Sequence, residues 1–441
     1  MTRIAILGSG MAGIGAARRL LAEGVEPVIY EKRAHAGGHT ASFRFDEGFV
    51  FDDGPHISFT KDERIQEIFA ASVGGRFETI QVQVNNYWQG YWIKHPAQCN
   101  LHGLPEDLVV AVLKDFVERP RRELDEISHY GEWLETSFGE TFARTFPMQY
   151  GKKYHTTTAD NMSIDWLGPR LYVPELEELL RGALSPQTPD VHYVTHFRYP
   201  SHGGFVTYLD AHLDKAEVEL EHEAVSIDPA ARRVRFAGCR EADYDQLVSS
   251  LPLPVLVPLI QGAPADVVEA AARLAWTTCV MVNVGVDRAD LSDCQWTYFY
   301  DDDYTFTRLS YPHMQSPNNV PPGAGSFQAE IYFSPKYRPL TAATADEFVE
   351  PVLRDLRRCG LLREDDEILC TDARISPFAN VIFDLDRADA LAAIHGYLDE
   401  VGIRYCGRYG EWGYQWTDES FKSGEAAAQR ALDALGSPTA R

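Results

Sequence analysis

Three glycines near the start of the chain have a spacing that suits phosphate binding. Residues 8–13 read Gly-Ser-Gly-Met-Ala-Gly, with Gly8, Gly10 and Gly13 in a Gly-x-Gly-x-x-Gly pattern. The first glycine allows a strand-to-helix turn, the second lets the backbone approach a pyrophosphate, and the third lets helix and strand pack closely. Glu31 follows where a carboxylate accepts hydrogen bonds from ribose hydroxyls, which disfavours a 2′-phosphate. This pattern predicts a dinucleotide site for NAD or FAD rather than NADP.

The residues around this turn have the patterns of a strand, a helix and a second strand. Residues 3–7 are a short apolar run, residues 13–23 have helical periodicity, and residues 25–30 are a second apolar run. Such a unit predicts parallel strand pairing and the start of a doubly wound sheet. The N-terminus of the helix would face the phosphates with its partial positive charge. We therefore predict an α/β protein with a Rossmann-like dinucleotide-binding domain.

A second glycine pair favours FAD over NAD. Gly37 and Gly38 follow Glu31 in the run Glu-Lys-Arg-Ala-His-Ala-Gly-Gly-His-Thr, and residues 51–56 read Phe-Asp-Asp-Gly-Pro-His. At these residues the sequence resembles the glutathione-reductase-like flavoproteins of the amine oxidase and UDP-galactopyranose mutase type. The resemblance implies that the Gly-Gly segment lies along the ribityl and pyrophosphate part of FAD, and that residues 51–56 lie beside the isoalloxazine.

Three further segments extend the resemblance along the chain. Residues 199–205 resemble the family's Tyr-Pro-x-x-Gly-Gly element, the strand at Val225 resembles the one whose backbone meets adenine, and residues 406–414 resemble the C-terminal Gly-Arg-x-Gly-x-x-x-Tyr element of the mutases. The glycine pattern and the resemblance together predict FAD as the cofactor. The residues expected to contact it are Gly8, Gly10, Met11, Ala12, Gly13, Glu31, Lys32, Gly37, Gly38, His39, Thr40, Gly54, His56, Val225, Gly407, Arg408, Trp412 and Tyr414.

The mutase branch is the nearest resemblance, on residues 54–56, on the Tyr-x-x-Lys of residues 150–153 and on residues 407–414. In such mutases reduced flavin N5 attacks the anomeric carbon, UDP leaves, and the sugar ring opens and recloses in the other size before UDP returns. Cationic and hydroxyl groups must then surround the diphosphate, because its negative charge is held and later released. The expected substrate-binding residues are Tyr150, Arg170, Arg308 and Tyr414. The expected catalytic residues are His56, Arg308 and Tyr414.

Each of these candidates also has a purely structural interpretation. Arg170 and Arg308 could form ordinary ion pairs, which contribute little when they are exposed. Tyr150 and Tyr414 could pack in an aromatic core, and His56 could be a structural histidine rather than a hydrogen-bond partner, acid or base at the flavin.

The chain departs from the mutases where they bind uridine. Tyr154 and His155 stand where the mutases carry a Trp, Phe59 replaces a second His, and the acid expected after Tyr414 is displaced. Two functions therefore stay open. The first is an enzyme acting on a sugar nucleotide or glycosylated small molecule, as an oxidoreductase or a redox-neutral isomerase. The alternative is an amine oxidase, dehydrogenase or desaturase that passes a hydride from a small metabolite to FAD.

The composition restricts the partners. A formal net charge of -24 excludes sequence-independent nucleic-acid binding and disfavours an anionic membrane surface. We expect a small-molecule substrate, with NAD(P)H as a candidate external reductant. The seven cysteines lack zinc-type spacing, so no metal site is predicted. With neither a signal-peptide pattern nor a long apolar run, the protein is expected in the cytoplasm, and its oligomeric state is not indicated.

The element patterns divide the chain into three regions. Amphipathic stretches at residues 108–116 and 121–138 predict helices outside the sheet, and strand-like runs between residues 279 and 333 predict an antiparallel sheet. The predicted regions are a discontinuous FAD-binding domain (residues 1–75, 196–255 and 376–441), a helical insertion in the substrate region (76–195) and an antiparallel-sheet substrate domain (256–375).

Overall fold

The structure is a computed structural model that describes residues 2–120, 122–168, 171–191 and 193–436. Its strands are β1 (Ile4–Leu7), β2 (Pro27–Tyr30), β3 (Ser42–Arg44), β4 (Val50–Asp52), β5 (Phe77–Gln81), β6 (Val84–Trp88), β7 (Tyr91–Lys94), β8 (His196–Pro200), β9 (Glu217–Glu219), β10 (Ala224–Asp228), β11 (Arg233–Phe236), β12 (Arg240–Asp243), β13 (Gln246–Ser249), β14 (Trp276–Val286), β15 (Trp296–Phe299), β16 (Arg308–Ser310), β17 (Gly325–Phe333), β18 (Ile368–Val381) and β19 (Ile403–Tyr405). Its helices are α1 (Met11–Ala22), α2 (Glu63–Ser72), α3 (Glu106–Glu118), α4 (Tyr130–Phe138), α5 (Glu140–Thr145), α6 (Pro147–His155), α7 (Leu176–Leu184), α8 (Thr207–Leu213), α9 (Leu253–Leu259), α10 (Ala265–Arg273), α11 (Val349–Arg358), α12 (Arg387–Glu400), α13 (Gly407–Gly410) and α14 (Thr417–Gly436).

A five-stranded parallel sheet carries the glycine turn. Its strand order is β19-β13-β1-β2-β9, and every residue of the central strand β1 is buried. Helix α1 packs against α14 so closely that a Cβ at Gly424 would lie 1.8 Å from the carbonyl oxygen of Ala12. The predicted α/β class with a parallel Rossmann-like sheet is confirmed, and residues 403–436 complete this part of the molecule.

A seven-stranded sheet carries the opposite wall of the site. Its order is β18-β14-β17-β16-β15-β6-β7, and neighbouring strands are antiparallel except for β15 and β6. The sheet takes β6 and β7 from the predicted helical insertion, because Tyr87 packs its ring on Phe299 and Tyr304. Strand β18 also runs across residue 376, where a boundary was expected. The domain boundaries themselves stay a prediction.

Strand alternation separates the core of this sheet from the cavity. On β14, Val280 and Val282 belong to a large apolar cluster, whereas Cys279 and Met281 face the cavity. Successive side chains of a strand point to opposite faces, so one strand serves both purposes. The same alternation on β17 turns Glu330 towards the cavity.

Helices α3 to α7 pack around a separate apolar cluster. The expected helix over residues 121–138 is not continuous: Leu124–Glu126 is a short 3-10 turn, and α4 begins at Tyr130. His129 causes this new start, because its Nδ1 accepts the backbone N–H of Glu132 at 3.3 Å. Within the described ranges, no helix is both long enough and apolar enough to span a bilayer.

Candidate active site

A cavity of about 610 Å³ extends from the glycine turn to helix α6 and the seven-stranded sheet. It is lined by residues from the parallel sheet, the helical region and the C-terminal segment, so distant parts of the chain meet there. The sequence-predicted site residues that line it are Gly8, Gly10, Met11, Ala12, Glu31, Lys32, Gly37, Gly38, His39, Thr40, Gly54, His56, Tyr150, Arg308, Gly407, Arg408 and Tyr414.

Four predicted site residues are not among those lining residues. Gly13 packs against the turn itself, since a Cβ there would lie 1.9 Å from the Gly8 carbonyl oxygen. Val225 is 48% exposed, and the cavity wall instead passes through its neighbour Ala224. Trp412 is fully buried in a hydrophobic cluster beside the cavity. Arg170 lies outside the described residues.

Glu31 is held in place by the turn that it faces. Its Oε2 atom accepts the backbone N–H of Ser9 at 3.1 Å and the Ser9 hydroxyl at 2.7 Å, and its Oε1 atom accepts the backbone N–H of Arg33 at 2.9 Å. Each carboxylate oxygen can accept further hydrogen bonds. The residue is 6% exposed and lines the cavity, so these atoms fit the ribose hydroxyls of a bound dinucleotide.

Arg408 supplies positive charge at the cofactor end of the cavity, close enough to His39 to lower the pKa of that histidine. Its Nε and Nη2 atoms donate to the carbonyl of Gln415 at 2.9 and 2.6 Å, and its Nη1 atom donates to Asn380 Oδ1 at 3.2 Å. Among the described residues no carboxylate lies within ion-pair distance of it. The guanidinium therefore keeps its charge for an anionic or electron-rich group, which fits a flavin dinucleotide.

Two histidines beside this arginine are neutral. Burial lowers the pKa of His39 to about 3, with further lowering by Arg33 and Arg408. Burial also lowers the pKa of His56 to about 4, although its Nδ1 lies 2.7 Å from the Gly54 carbonyl. In the neutral ring Nδ1 carries the proton and donates it to that carbonyl. His56 Nε2 is therefore a hydrogen-bond acceptor.

Arg308 and Glu330 form an ion pair at the other end of the cavity. They stand directly opposite each other on β16 and β17, and Arg308 donates to Glu330 through Nε and through Nη2, the latter at 2.8 Å. Tyr332 also donates its hydroxyl to Glu330 Oε1 at 2.7 Å. Burial opposes the charged form of Arg308, but Glu330 outweighs it and holds the arginine pKa well above its usual value. Arg308 is thus both paired and part of the cavity wall.

Tyrosine hydroxyls surround this pair. The ring of Tyr150 stacks on Tyr154 with centroids 5.6 Å apart, and the Tyr154 hydroxyl lies 2.9 Å from that of Tyr414. Tyr298 packs edge-on against Tyr150 at 5.2 Å. Burial raises the pKa of Tyr150 and of Tyr154 well above the usual value, so both are neutral donors.

Sequence reasoning missed three residues of this end, Tyr298, Glu330 and Tyr332, and named Tyr154 only as a departure from the mutases. The sequence does contain an indication for Glu330, because it is an acid within a mostly apolar and aromatic strand.

Lys153 has a structural role and does not face a ligand. Its Nζ donates to the carbonyls of Phe299, Asp301 and Phe306 at 3.3, 2.6 and 2.9 Å. Burial lowers its pKa to about 8, and the contacts anchor α6 to the β15–β16 connection.

The sequence of the whole chain identifies the class of enzyme. A family model described as flavin-containing amine oxidoreductase matches residues 11–432. The chain belongs to the flavin-containing amine oxidoreductase family. The predicted cofactor is confirmed: this flavoenzyme uses FAD, and the residues around Glu31 and Arg408 fit its dinucleotide and ring.

Solved structures share the fold of this flavoenzyme. Reduced UDP-galactopyranose mutase matches 100% of this chain and 97% of that chain, with a TM-score of 0.91 and 24% sequence identity. Cyclohexylamine oxidase from Brevibacterium oxydans IH-35A matches 99% and 100%, with a TM-score of 0.69 and 14% identity. The predicted superfamily resemblance is confirmed.

A curated relative matches only a short segment. The 4,4′-diapophytoene desaturase (4,4′-diaponeurosporene-forming) of Staphylococcus haemolyticus is 43% identical over 75 residues. That segment is 17% of this chain and spans 14% of the desaturase's length.

Proposed function

We propose that this flavoenzyme isomerises the sugar ring of a sugar nucleotide without net oxidation or reduction. The observation that carries the proposal is the group of N–H and O–H donors at the end of the cavity away from the glycine turn. Arg308, Tyr150 and the Tyr154–Tyr414 pair line that end together. Such donors suit a diphosphate, which offers only acceptor oxygens.

The Arg308 guanidinium keeps donors for a ligand. Its Nε and Nη2 atoms are directed to Glu330, and Nη1 has no partner within the described ranges. A guanidinium with a free edge can donate to phosphate oxygens. Because the Arg308–Glu330 pair is neutral as a whole, it would bind a diphosphate by hydrogen bonding more than by net charge. That balance suits a group that must leave the sugar and return to it.

The tyrosines supply neutral donors beside the guanidinium. The Tyr154 and Tyr414 hydroxyls lie 2.9 Å apart and both residues line the cavity, where either hydroxyl can donate to a phosphate oxygen. FAD, when bound and reduced, supplies an N5 atom that can attack a sugar carbon. At the cofactor wall, His56 Nε2 can accept a hydrogen bond from a sugar hydroxyl, since the ring is neutral and Gly54 fixes its orientation.

The alternative function is hydride transfer from an amine or another small metabolite to FAD. An ammonium substrate would need an anionic partner in the cavity, and Glu330 supplies a carboxylate among the described residues at the end of the cavity away from the glycine turn. Arg308 already neutralises Glu330 through two hydrogen bonds. This pairing favours an anionic ligand over a cationic one.

The test uses the FAD-loaded enzyme, reduced with dithionite under anaerobic conditions. It is incubated with UDP-, dTDP-, GDP- and CDP-linked hexoses and pentoses, and the products are separated by chromatography. The expected result is a ring-size isomer from at least one sugar nucleotide, formed by reduced and not by oxidised enzyme. In parallel, oxidised enzyme is mixed with amines and alcohols while the flavin absorbance is followed. Flavin reduction by one of these, with no isomer from any nucleotide, would overturn the proposal in favour of the alternative.

A further inference from the structure

His155 is a buried polar residue that makes no side-chain hydrogen bond with the described protein. It is the last residue of α6, lines the cavity and is 4% exposed. Its Nδ1 atom is shut off from solvent and has no hydrogen-bond partner. The structure also gives no partner to Nε2 among the described residues. Buried polar groups are normally satisfied, so an unpaired imidazole in a cavity wall points to a ligand.

The environment of the ring decides where its proton lies. Burial lowers the pKa of His155 to about 3, so the imidazole is neutral and carries one N–H. An N–H enclosed without an acceptor loses its hydration with no compensation. Nδ1 is the enclosed nitrogen, which places the proton on Nε2. The side chain therefore offers a donor to the cavity.

Aromatic rings continue the wall on both sides of this donor. Trp166 packs 5.3 Å from His155 and 5.1 Å from Tyr130, and Tyr154 lies edge-on to His155 at 4.9 Å. Two other polar side chains of the same wall already have polar partners within the protein. Gln98 Nε2 donates to the Tyr172 carbonyl at 2.7 Å, and His95 Nδ1 lies 3.1 Å from Asn86 Oδ1.

We propose that His155 reads the nucleobase of the substrate by donating from Nε2 to a ring carbonyl. The inference rests on the proposed function, because it takes a sugar nucleotide as the substrate. Aromatic side chains can pack against any nucleobase, whereas a hydrogen-bond donor distinguishes a carbonyl from an amino group at the edge of the base. A base with a carbonyl at the edge that meets His155 is therefore preferred over its amino counterpart.

Two pairs of nucleotides test this preference, because each pair exchanges a carbonyl for an amino group at one position and, with it, the adjacent ring N–H for a bare ring nitrogen. They are UDP with CDP and IDP with ADP. Their dissociation constants are measured by calorimetry on the oxidised, FAD-loaded enzyme, which needs no turnover. The carbonyl member of at least one pair is expected to bind about 3- to 10-fold more tightly, the range for one neutral hydrogen bond.

Substitutions at His155 separate the donor from the ring. His155→Phe keeps an aromatic ring and is expected to abolish the preference, whereas His155→Gln places an amide N–H at similar reach and is expected to restore part of it. His313→Phe is the control, because the half-buried His313 also has a solvent-excluded ring nitrogen without a hydrogen-bond partner, Nε2, but does not line the cavity. FAD content and thermal unfolding are recorded for each variant to confirm folding.

The outcomes separate this inference from the proposed function. Absence of binding by all four nucleotides would overturn the inference, and the isomerisation test then decides separately whether the proposed function stands. Binding that shows no carbonyl preference, or a preference that His155→Phe retains, would overturn the role of His155 and leave the proposed function standing. A preference lost in His155→Phe, retained in His313→Phe and partly restored in His155→Gln supports the role.

Discussion

The two ends of the cavity are built in different ways. At the cofactor end, the glycine turn, Glu31 and the Gly37–Gly38 pair all lie between residues 8 and 38. At the substrate end, the lining side chains come from α6, from β16 and β17, and from the segment after α13. Apart from Arg408, which comes from the C-terminal segment, the first end is mostly local in sequence and relies on backbone geometry. The second exists only when distant elements are packed together.

Charge also differs between the two ends. Arg408 is surrounded by carbonyl and amide oxygens, so its charge is left for the cofactor. Arg308 is paired with Glu330, so its charge is largely compensated. Tight retention of a cofactor benefits from an uncompensated charge, whereas a transient ligand can be held by neutral donors. Substitutions at either end can therefore test this contrast.

Replacement of Gly13 by Val should abolish FAD binding at the cofactor end of the cavity. The added Cβ would lie 1.9 Å from the Gly8 carbonyl oxygen; the backbone fixes the position of that Cβ and the oxygen is itself a backbone atom, so neither can move aside. We expect protein that purifies without flavin absorbance or does not fold. Gly396→Ala in α12 is the control, because a Cβ there meets nothing within 4 Å. Normal FAD content in the Gly13→Val protein would contradict the packing role.

Replacement of Glu330 by Ala should destabilise the substrate end while FAD is retained. Loss of the carboxylate leaves Arg308, with 22% of its side chain exposed, without its partner, which typically costs about 3–5 kcal/mol of unfolding free energy. Urea unfolding measures the change. The double variant with Arg308→Met should recover part of the loss, and fully additive single losses would refute the coupling. Arg144→Gln, in exposed ion pairs, should change stability by less than about 1 kcal/mol.

Stability should fall as the pH is lowered, with His155 as one cause. Its folded-state pKa of about 3 is depressed, so its contribution is complete above the ordinary histidine pKa of 6.5 and is lost as the pH falls towards 3. Between pH 7.5 and pH 4.5 we expect about 2–3 kcal/mol of the loss in unfolding free energy to come from this residue. Urea unfolding of His155→Phe should show a decline smaller by that amount. An unchanged decline would mean that the imidazole does not stay neutral in the folded protein.

Replacement of Glu31 by Gln should have the smallest effect of these four substitutions. The expected change is a weaker affinity for FAD, with the substrate end unaffected. The amide keeps the shape of the side chain but loses the charge, and only one of its two terminal atoms can still accept, so the bonds from Ser9 or the bond from Arg33 are lost. We expect about tenfold weaker FAD binding on reconstitution of the apoprotein, equivalent to about 1.4 kcal/mol. Nucleotide binding by the reloaded enzyme should stay unchanged. A change there would show that the two ends are not independent.

Most of the cofactor end could be predicted from the sequence because its determinants are local. A tight turn requires glycine at set positions, and the acid that faces it follows one helix and one strand later. Val225 shows the limit of this reasoning. A strand could be assigned there, but the side of the hairpin that meets the cavity depends on how β10 packs, and the wall passes through Ala224 instead.

At the substrate end, the sequence indicated individual candidate residues but not which other residues each of them contacts. Arg308 was identified by its residue type, but its pairing with Glu330 follows from the register between β16 and β17. Tyr150 and Tyr414 were identified by resemblance, whereas Tyr154 joins them because α6 packs beside the C-terminal segment. Such contacts join residues far apart in the chain, and no periodicity in the sequence reports them.

The cofactor, the α/β class and the family could all be predicted from the residues alone, because glycine spacing and strand–helix–strand patterns act over short distances. Which charges are compensated and which donors face the cavity depends on how distant elements pack. Arg308 and Arg408 are the same residue type, yet one faces a carboxylate and the other faces carbonyl and amide oxygens. The electrostatic role of a side chain depends on what surrounds it after folding, and in this enzyme those surroundings come from distant strands and helices.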